Sequence, residues 1–324
     1  MIAAFSAKID RFFQRTVVES VFVPRKVEGQ VERIHSAKVL LSSLSETELF
    51  PAPDFPVMRE LRQGRYRGMK TKTITWDMPK VPAGELFHLA PKSTPPQATL
   101  FGQGKRPVWI LVHGWLGGSR FMDEVFWPLH AIHKTADLVL IRLPGHGPRS
   151  IPAYSVFPSF PSRNPVRNVL GLLTAVTEIR ELIAWLRESG YERIGVAGTS
   201  LGVQVAALLA TVDPCAERFL FDRPLANLSD PLKRQMHAET FELTRMLDAL
   251  EDLYQPVSPL SRPSRVSPNQ VDVLLGREDH VAGLDEGEAL AAHFGVAAQT
   301  FPTGHVLSWG REEVVTDITR KLTV

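Results

Sequence analysis

The chain has 324 residues, long enough for one large α/β domain carrying an insertion, and its 44% hydrophobic and 22% charged residues are those of a globular protein with a substantial core. A formal net charge of +2, from 37 basic and 35 acidic side chains, supplies no global field to gather nucleic acid, and that class of partner is excluded. The single cysteine, Cys215, rules out an intrachain disulfide and fits a cytoplasmic protein; residues 1–16 contain no uninterrupted secretory h-region, and no stretch reaches the ~20 apolar residues of a spanning helix.

At the N-terminus, Ile2, Phe5, Ile9, Phe12 and Phe13 recur at helical spacing with Lys8, Asp10, Arg11 and Arg15 between them, which predicts an amphipathic helix over the first ~16 residues. Such a helix docks on the protein's own core or lies on a membrane surface, so residues 1–16 are the segment suited to peripheral membrane contact. The stretch that follows, to about Gly64, is poorly periodic and carries Pro51, Pro53 and Pro56, and it reads as an extended surface segment. Residues 1–70 are therefore expected to form an N-terminal appendage to a main domain of residues 71–324. Within Arg59–Lys72, six basic residues stand against the single acid Glu60, the charge pattern of an exposed edge strand. Thr71–Met78 and Gly84–Ala90, divided by Pro79 and Pro82, suggest an opening hairpin, and Pro91–Gly104 reads as a loop.

From there the pattern alternates. Val108–Val112 is a continuous apolar run of the kind buried on both faces of a parallel sheet, Asp137–Leu143 reads as a second buried strand, and each ends in a glycine-rich turn, His113-Gly114-Trp115-Leu116-Gly117-Gly118 and Pro144-Gly145-His146-Gly147. Ser119 is a helix cap, Pro165 opens a long helix closed by Gly190, and Arg193–Ala197 is a third buried strand. Residues 223–268 interrupt the rhythm with one helix and a proline-rich connector, and are expected to form a small helical lid over the strands' carboxyl ends. Strands at Val271–Leu275 and Val296–Phe301 and a closing helix complete the chain. Strands alternating with helices at this spacing build a doubly wound, mostly parallel sheet with right-handed crossovers.

The third strand runs into Gly198-Thr199-Ser200-Leu201-Gly202 and then a long apolar helix. A serine at such a turn takes strained dihedrals that only small neighbours permit, and it sits at a helix N-terminus where the amide of Leu201 is unpaired. Gly-x-Ser-x-Gly arises by chance in roughly one chain in ten of this length, so the flanking strand and helix carry the weight. A serine nucleophile needs a base, and the base needs an orienting acid. Two strand ends supply candidates: Gly276-Arg277-Glu278-Asp279-His280 and Thr303-Gly304-His305. Glu278 competes with Asp279 as the acid, and His280 with His305 as the base; Asp279 and His305 are favoured because they arrive from separate strands in the order Ser, Asp, His.

On these motifs the chain resembles an α/β-hydrolase-fold protein from roughly Thr71 to the C-terminus. That resemblance implies an eight-stranded sheet of the α/β-hydrolase type, with Ser200 as nucleophile, Asp279 as orienting acid, His305 as general base, and the backbone amides of Trp115 and Leu201 as the oxyanion hole. It calls for no metal and no organic cofactor. A finer resemblance, through Glu188-Ser189-Gly190-Tyr191 and the long N-terminal extension, is to the abhydrolase-domain-18 type and hints at lipid acyl substrates. Leu116, Phe241 and Met246 are candidate substrate-binding residues, and the absence of a charged group placed to grip a substrate head points to a small ester, uncharged or lipid-like. The expected activity is that of an esterase- or lipase-like serine hydrolase; an acyltransferase using the same triad and a non-catalytic binding module are the alternatives. His113 and His146 are expected to bond loop backbone, and Cys215 to be a packed thiol.

Overall fold

The computed structural model describes residues 2–14, 30–86, 93–102, 104, 106–153, 157–229, 241–307 and 310–323. The chain opens with α1 (Ile2–Phe13), α2 (Gln30–Ser42) and α3 (Glu46–Leu49), followed by β1 (Arg59–Tyr66), β2 (Met69–Thr75), α4 (Pro82–Leu86) and β3 (Gln97–Phe101). Next come β4 (Val108–Val112), α5 (Arg120–Phe126), α6 (Leu129–His133), β5 (Asp137–Arg142), α7 (Pro165–Glu188), β6 (Ile194–Ser200) and α8 (Leu201–Val212). The last part holds β7 (Arg218–Pro224), α9 (Phe241–Tyr254), β8 (Val271–Gly276), α10 (Leu284–His293), β9 (Gln299–Phe301) and α11 (Glu312–Arg320). Among the described residues no helix is long and apolar enough to cross a membrane.

Among the described residues the strands form one sheet in the order β1-β2-β3-β5-β4-β6-β7-β8-β9, nine rather than the expected eight. β1 to β3 pair antiparallel at one edge, and β5, β4, β6, β7, β8 and β9 run parallel. Side-chain alternation divides the core in two, as a period of two requires. Val108, Ile110 and Val112 of β4 join the large cluster under α7 and α8, while Trp109 and Leu111 join a smaller cluster with Leu129, Ile132, Val315 and Ile318 of α6 and α11 on the other face. The chain goes from β4 out to β5 and back across β4 to β6, so strand order reverses at β4. In an open α/β sheet that reversal leaves a crevice at the carboxyl ends of the strands.

Several expectations are corrected. The hairpin is β1–β2, turning at Arg67 and Gly68, whose φ values of 45° and 84° are the two positive angles of a I′-type turn. The boundary drawn at residue 70 therefore cuts a hairpin, and Pro82 starts a short helix instead of flanking a second strand. β3 replaces part of the expected loop, and the segment read as extended contains α2, which buries Ile34, Ala37 and Leu41 against the core. The helix expected to run on from Ser119 breaks at Trp127, which is extended ahead of Pro128 because a helical residue there would clash with the proline ring. Of the expected lid, residues 230–240 lie outside the described residues, and α9 packs on α2 and α7.

Trp76, just past β2, is fully buried and its indole N–H donates to Glu181 of α7 at 2.8 Å. Burial pushes the Glu181 carboxyl up to about 7; the Trp76 bond works against that shift, and the nearby Glu178 and Asp54 carboxylates add to it. Below the ordinary value of 4.5 both folded and unfolded chains are protonated there and the contribution is complete; it is lost as pH rises towards 7, because only the unfolded chain gives up the proton freely. Glu181→Gln keeps an oxygen for the indole and removes the titration. Its stability advantage over the natural protein should grow between pH 4.5 and 7, which urea unfolding at the two ends of that window will show.

Candidate active site

Ser200 ends β6 at φ 54° and ψ −120°, a backbone conformation that side chains rarely adopt, and α8 begins at the next residue. The two glycines of the motif make the turn sterically possible. A Cβ on Gly198 would overlap the carbonyl of Gly202, and one on Gly202 would overlap the carbonyl of Val112 at the end of β4. A further glycine, Gly114, lets the turn after β4 come up against the serine, since a Cβ there would be 3.1 Å from Ser200 Cβ.

The structure brings Ser200, Asp279 and His305 together in a chain of hydrogen bonds. His305 Nδ1 donates to Asp279 Oδ2 at 2.7 Å, and Ser200 Oγ donates to His305 Nε2 at 2.7 Å, the tautomer that the aspartate demands. The other carboxylate oxygen of Asp279 accepts from the amides of Val281 and Ala282 at 3.0 and 2.8 Å. Burial alone would raise the Asp279 pKa, but the His305 imidazole and these bonds outweigh it and hold the carboxyl below its ordinary value. His280 lies within 3.5 Å of an Arg11 guanidinium nitrogen and is not part of the chain.

Above Ser200 lies a cavity of about 100 Å³, lined by Trp115, Leu116, Met122, Phe126 and Leu201 among others, and by Leu225 and Leu228 of the insertion. Among the described residues, His305 is the only titratable side chain on its wall. Trp115 and Leu201 stand beside the serine on the cavity wall, and Leu116 faces the same space. Met246 does not: it is completely buried in the large core cluster. The side chain of Phe241 lies outside the described residues. Phe13 of α1 also reaches the wall and meets the Trp115 ring edge-on with centroids 6.4 Å apart.

His113 and His146 bond loop backbone. His113 Nδ1 donates to the Gly114 carbonyl and its Nε2 accepts from the Leu143 amide, while His146 Nδ1 donates to the Pro144 carbonyl. Burial drives both pKa values down, that of His146 to about 4, so both rings are neutral at pH 7. Cys215 is buried and its thiol is pushed up to about 12, chiefly by burial. Among the described residues no group of three metal-ligating side chains is assembled.

The floor of the site is charged, and sequence patterns did not point to it. Asp222 near the end of β7 accepts from Thr199 Oγ1 and from Arg223, and pairs with Arg311 at 2.7 Å, all four residues being buried. Burial would raise the Asp222 pKa, and the two guanidiniums overcome it and lower it instead. Arg223, itself at φ 51°, donates to the His305 carbonyl at 2.6 Å. The one signal available was an Asp-Arg pair closing the apolar strand Phe219–Phe221. From α10, Glu286 accepts from the amides of Ala226 and Asn227 and so fixes the loop that bears Leu225 and Leu228.

The sheet, its strand-order reversal and the serine turn define the α/β-hydrolase fold, and comparison with known proteins agrees. Residues 162–218 match the family described as alpha/beta hydrolase domain containing 18. An uncharacterized protein of Mycobacterium tuberculosis is 32% identical over 163 residues, covering 48% of this chain and 38% of its own, so the match spans well under half the length of that relative. Among solved structures, acetyl xylan esterase 1 from Thermoanaerobacterium sp. JW/SL YS485 superposes with a TM-score of 0.61 at 14% identity over 94% of this chain and 95% of that one. The acetyl xylan esterase from Paenibacillus sp. R4 gives 0.58 at 14% identity over 90% and 93%. A cold-adapted esterase from an Arctic intertidal metagenomic library gives 0.52 at 14% over 81% and 98%.

Because the Gly198 and Gly202 positions are in contact with backbone on both sides, Gly202→Ala should destabilise the fold by about 1–3 kcal/mol, whereas Gly64→Ala on the exposed strand β1 should change stability by no more than about 0.5 kcal/mol. Denaturant unfolding of the two variants makes the comparison.

Proposed function

We propose that the protein is a serine hydrolase acting on carboxylic esters through an acyl-enzyme. The observation that carries this is the Ser200–His305–Asp279 hydrogen-bond chain, 2.7 Å at each link, opening into an apolar cavity from a strained strand-to-helix turn. In the reading, Ser200 Oγ attacks the ester carbonyl carbon while its proton passes to His305 Nε2, and Asp279 stabilises the imidazolium from the Nδ1 side. The carbonyl oxygen becomes an oxyanion facing the amides of Leu201, first in α8, and of Trp115. As the tetrahedral species collapses, the alcohol leaves with the proton from Nε2; water then gives up a proton to the same nitrogen, attacks the acyl carbon and frees the acid. Every step uses groups of the chain itself.

The wall of the cavity supports an uncharged, apolar acyl group, because among the described residues no cation or carboxylate besides the site itself faces it. The esterases that share the fold are consistent with an ester as the bond attacked. Acyl transfer to an alcohol uses the same residues and is distinguished by adding an acceptor alcohol to the assay. A fluorophosphonate probe should label the folded protein at Ser200 and fail to label Ser200→Ala. Asp279→Asn should lower kcat on nitrophenyl esters by about 10⁴, since the imidazole loses its tautomer and its counter-charge. Failure of the natural protein to take the label would end the proposal.

A second reading concerns membranes and rests on the outward face of α1. Phe5 and Phe12 are 53% and 69% exposed there, with the exposed Lys8 and Arg11 between them and no acid on that face. Aromatic and basic side chains on one face suit an anionic lipid surface. Vesicles of phosphatidylcholine with phosphatidylglycerol should retain the protein more than phosphatidylcholine alone, and Phe5→Ser/Phe12→Ser should abolish the difference; equal sedimentation with both vesicles would dismiss this reading.

A further inference from the structure

The inner face of α1 ends at the histidine. Ser6 and Asp10 lie one turn apart on it and both are buried. One oxygen of Asp10 accepts from the amide of His305 at 2.5 Å and from that of His280 at 3.3 Å, and the other accepts from Val306 at 3.0 Å. Ser6 Oγ accepts from the amide of Gly304 at 2.7 Å and donates to the carbonyl of Leu307 at 3.4 Å. Two side chains nearly 300 positions away thus hold the four consecutive residues 304 to 307 by their backbone. Gly304 permits the approach, for a Cβ there would lie 2.5 Å from the Asp10 carboxylate.

A tie of this kind could be made by a neutral acceptor, yet the residue is an acid, with no lysine or arginine among the groups that lower its pKa. Burying an unpaired carboxylate costs stability. Among the described residues the group of opposite charge that acts on it is the His305 imidazole, which also faces Asp279 through Nδ1 and Ser200 through Nε2 while Arg223 holds its carbonyl.

We propose that Asp10 is a positioning residue for His305, assisted by Ser6, and that α1 is a working part of the active site. The proposal rests on the reading of Ser200 and His305 as catalytic. It adds a specific demand: the loop bearing His305 keeps Nε2 on Ser200 Oγ only while its amides are held by α1. Displacement of a catalytic group by about 1 Å lowers a rate on the order of 100-fold.

The test measures kcat and KM on a nitrophenyl ester for the full chain and for Asp10→Ala, Asp10→Asn and Ser6→Ala, each normalised to sites titrated with a fluorophosphonate. Normalisation separates a mispositioned histidine from a smaller folded fraction. For Asp10→Ala, kcat per titrated site should fall roughly 10- to 100-fold with KM within about threefold, since the acyl cavity is untouched. Asp10→Asn, which keeps one acceptor oxygen and turns an N–H₂ towards the other amide, should fall by about 10-fold, and Ser6→Ala by about 3-fold. If Asp10→Ala gives no folded protein, Asp10→Asn and Ser6→Ala decide the matter. Rates per titrated site within twofold of the natural protein in these variants, or a loss confined to the number of titratable sites, would overturn the proposal. A natural protein that neither labels nor turns over would instead overturn the hydrolase reading itself.

Discussion

The site depends on one backbone constraint, the left-handed conformation of Ser200. Holding a residue with a Cβ at φ 54° costs about 1–3 kcal/mol, and it persists only where the surroundings leave no alternative. Here β6 is fixed between β4 and β7, and α8, every residue of which is buried, is fixed beneath the sheet's partner helices. The chain has no freedom to relax the turn between them. Gly198 and Gly202 remove the overlap that would otherwise forbid it, and Thr199 is tied by its hydroxyl to Asp222 and Arg223. The hydroxyl of Ser200 is therefore aimed by the packing of the whole sheet and needs no help from its own rotamer preference.

His305 has no such scaffold, because it lies on a loop past the short edge strand β9. Side-chain clamps take the place of regular structure. Arg223 holds its carbonyl, Asp10 its amide and Asp279 its ring, and these three come from a central strand, the N-terminal helix and the loop after β8. Each clamp is an ionisable side chain, and charge-assisted bonds are shorter and stronger than neutral ones. The contrast is physical: the serine inherits its precision from hydrophobic packing, and the histidine acquires its own from buried electrostatics.

That contrast also explains what could be read from the sequence. β4 is an uninterrupted apolar run and β5, β6 and β8 are mostly apolar and mostly buried, and Ser200, Asp279 and His305 stand at or follow strand ends in a recognisable order, so the parallel half of the sheet and the hydrogen-bond chain were legible. β3 was not, since five residues after Pro95-Pro96 make too short a pattern, and α2 was not, since Val39 and Leu40 blur its Ile34, Ala37, Leu41 stripe. Met246 was misplaced because an apolar stripe on a helix looks the same whether it faces a pocket or a core. Asp10 was invisible: an acid on an amphipathic helix reads as a solvated face, and only the tertiary fold places it under a loop 295 positions further on.

The charges around the histidine have a balance of their own. Among the described residues, Asp222 is answered by Arg223 and Arg311, while Asp10 and Asp279 act on His305 itself. These groups are buried, and fixed dipoles and charges in a site shielded from water do not reorganise. Transfer of the Ser200 proton to Nε2 places a positive charge on the imidazole ring, where Asp279 already touches it. In the proposed reaction the charge distribution thus suits the protonated histidine better than the resting one. Differential stabilisation of that kind lowers a barrier, whereas equal binding of both states does not. The N-terminal helix belongs to this account through Asp10: burial raises the pKa of its carboxyl and the His305 imidazole works against that shift, so a protonated histidine favours the charged carboxylate and is favoured by it.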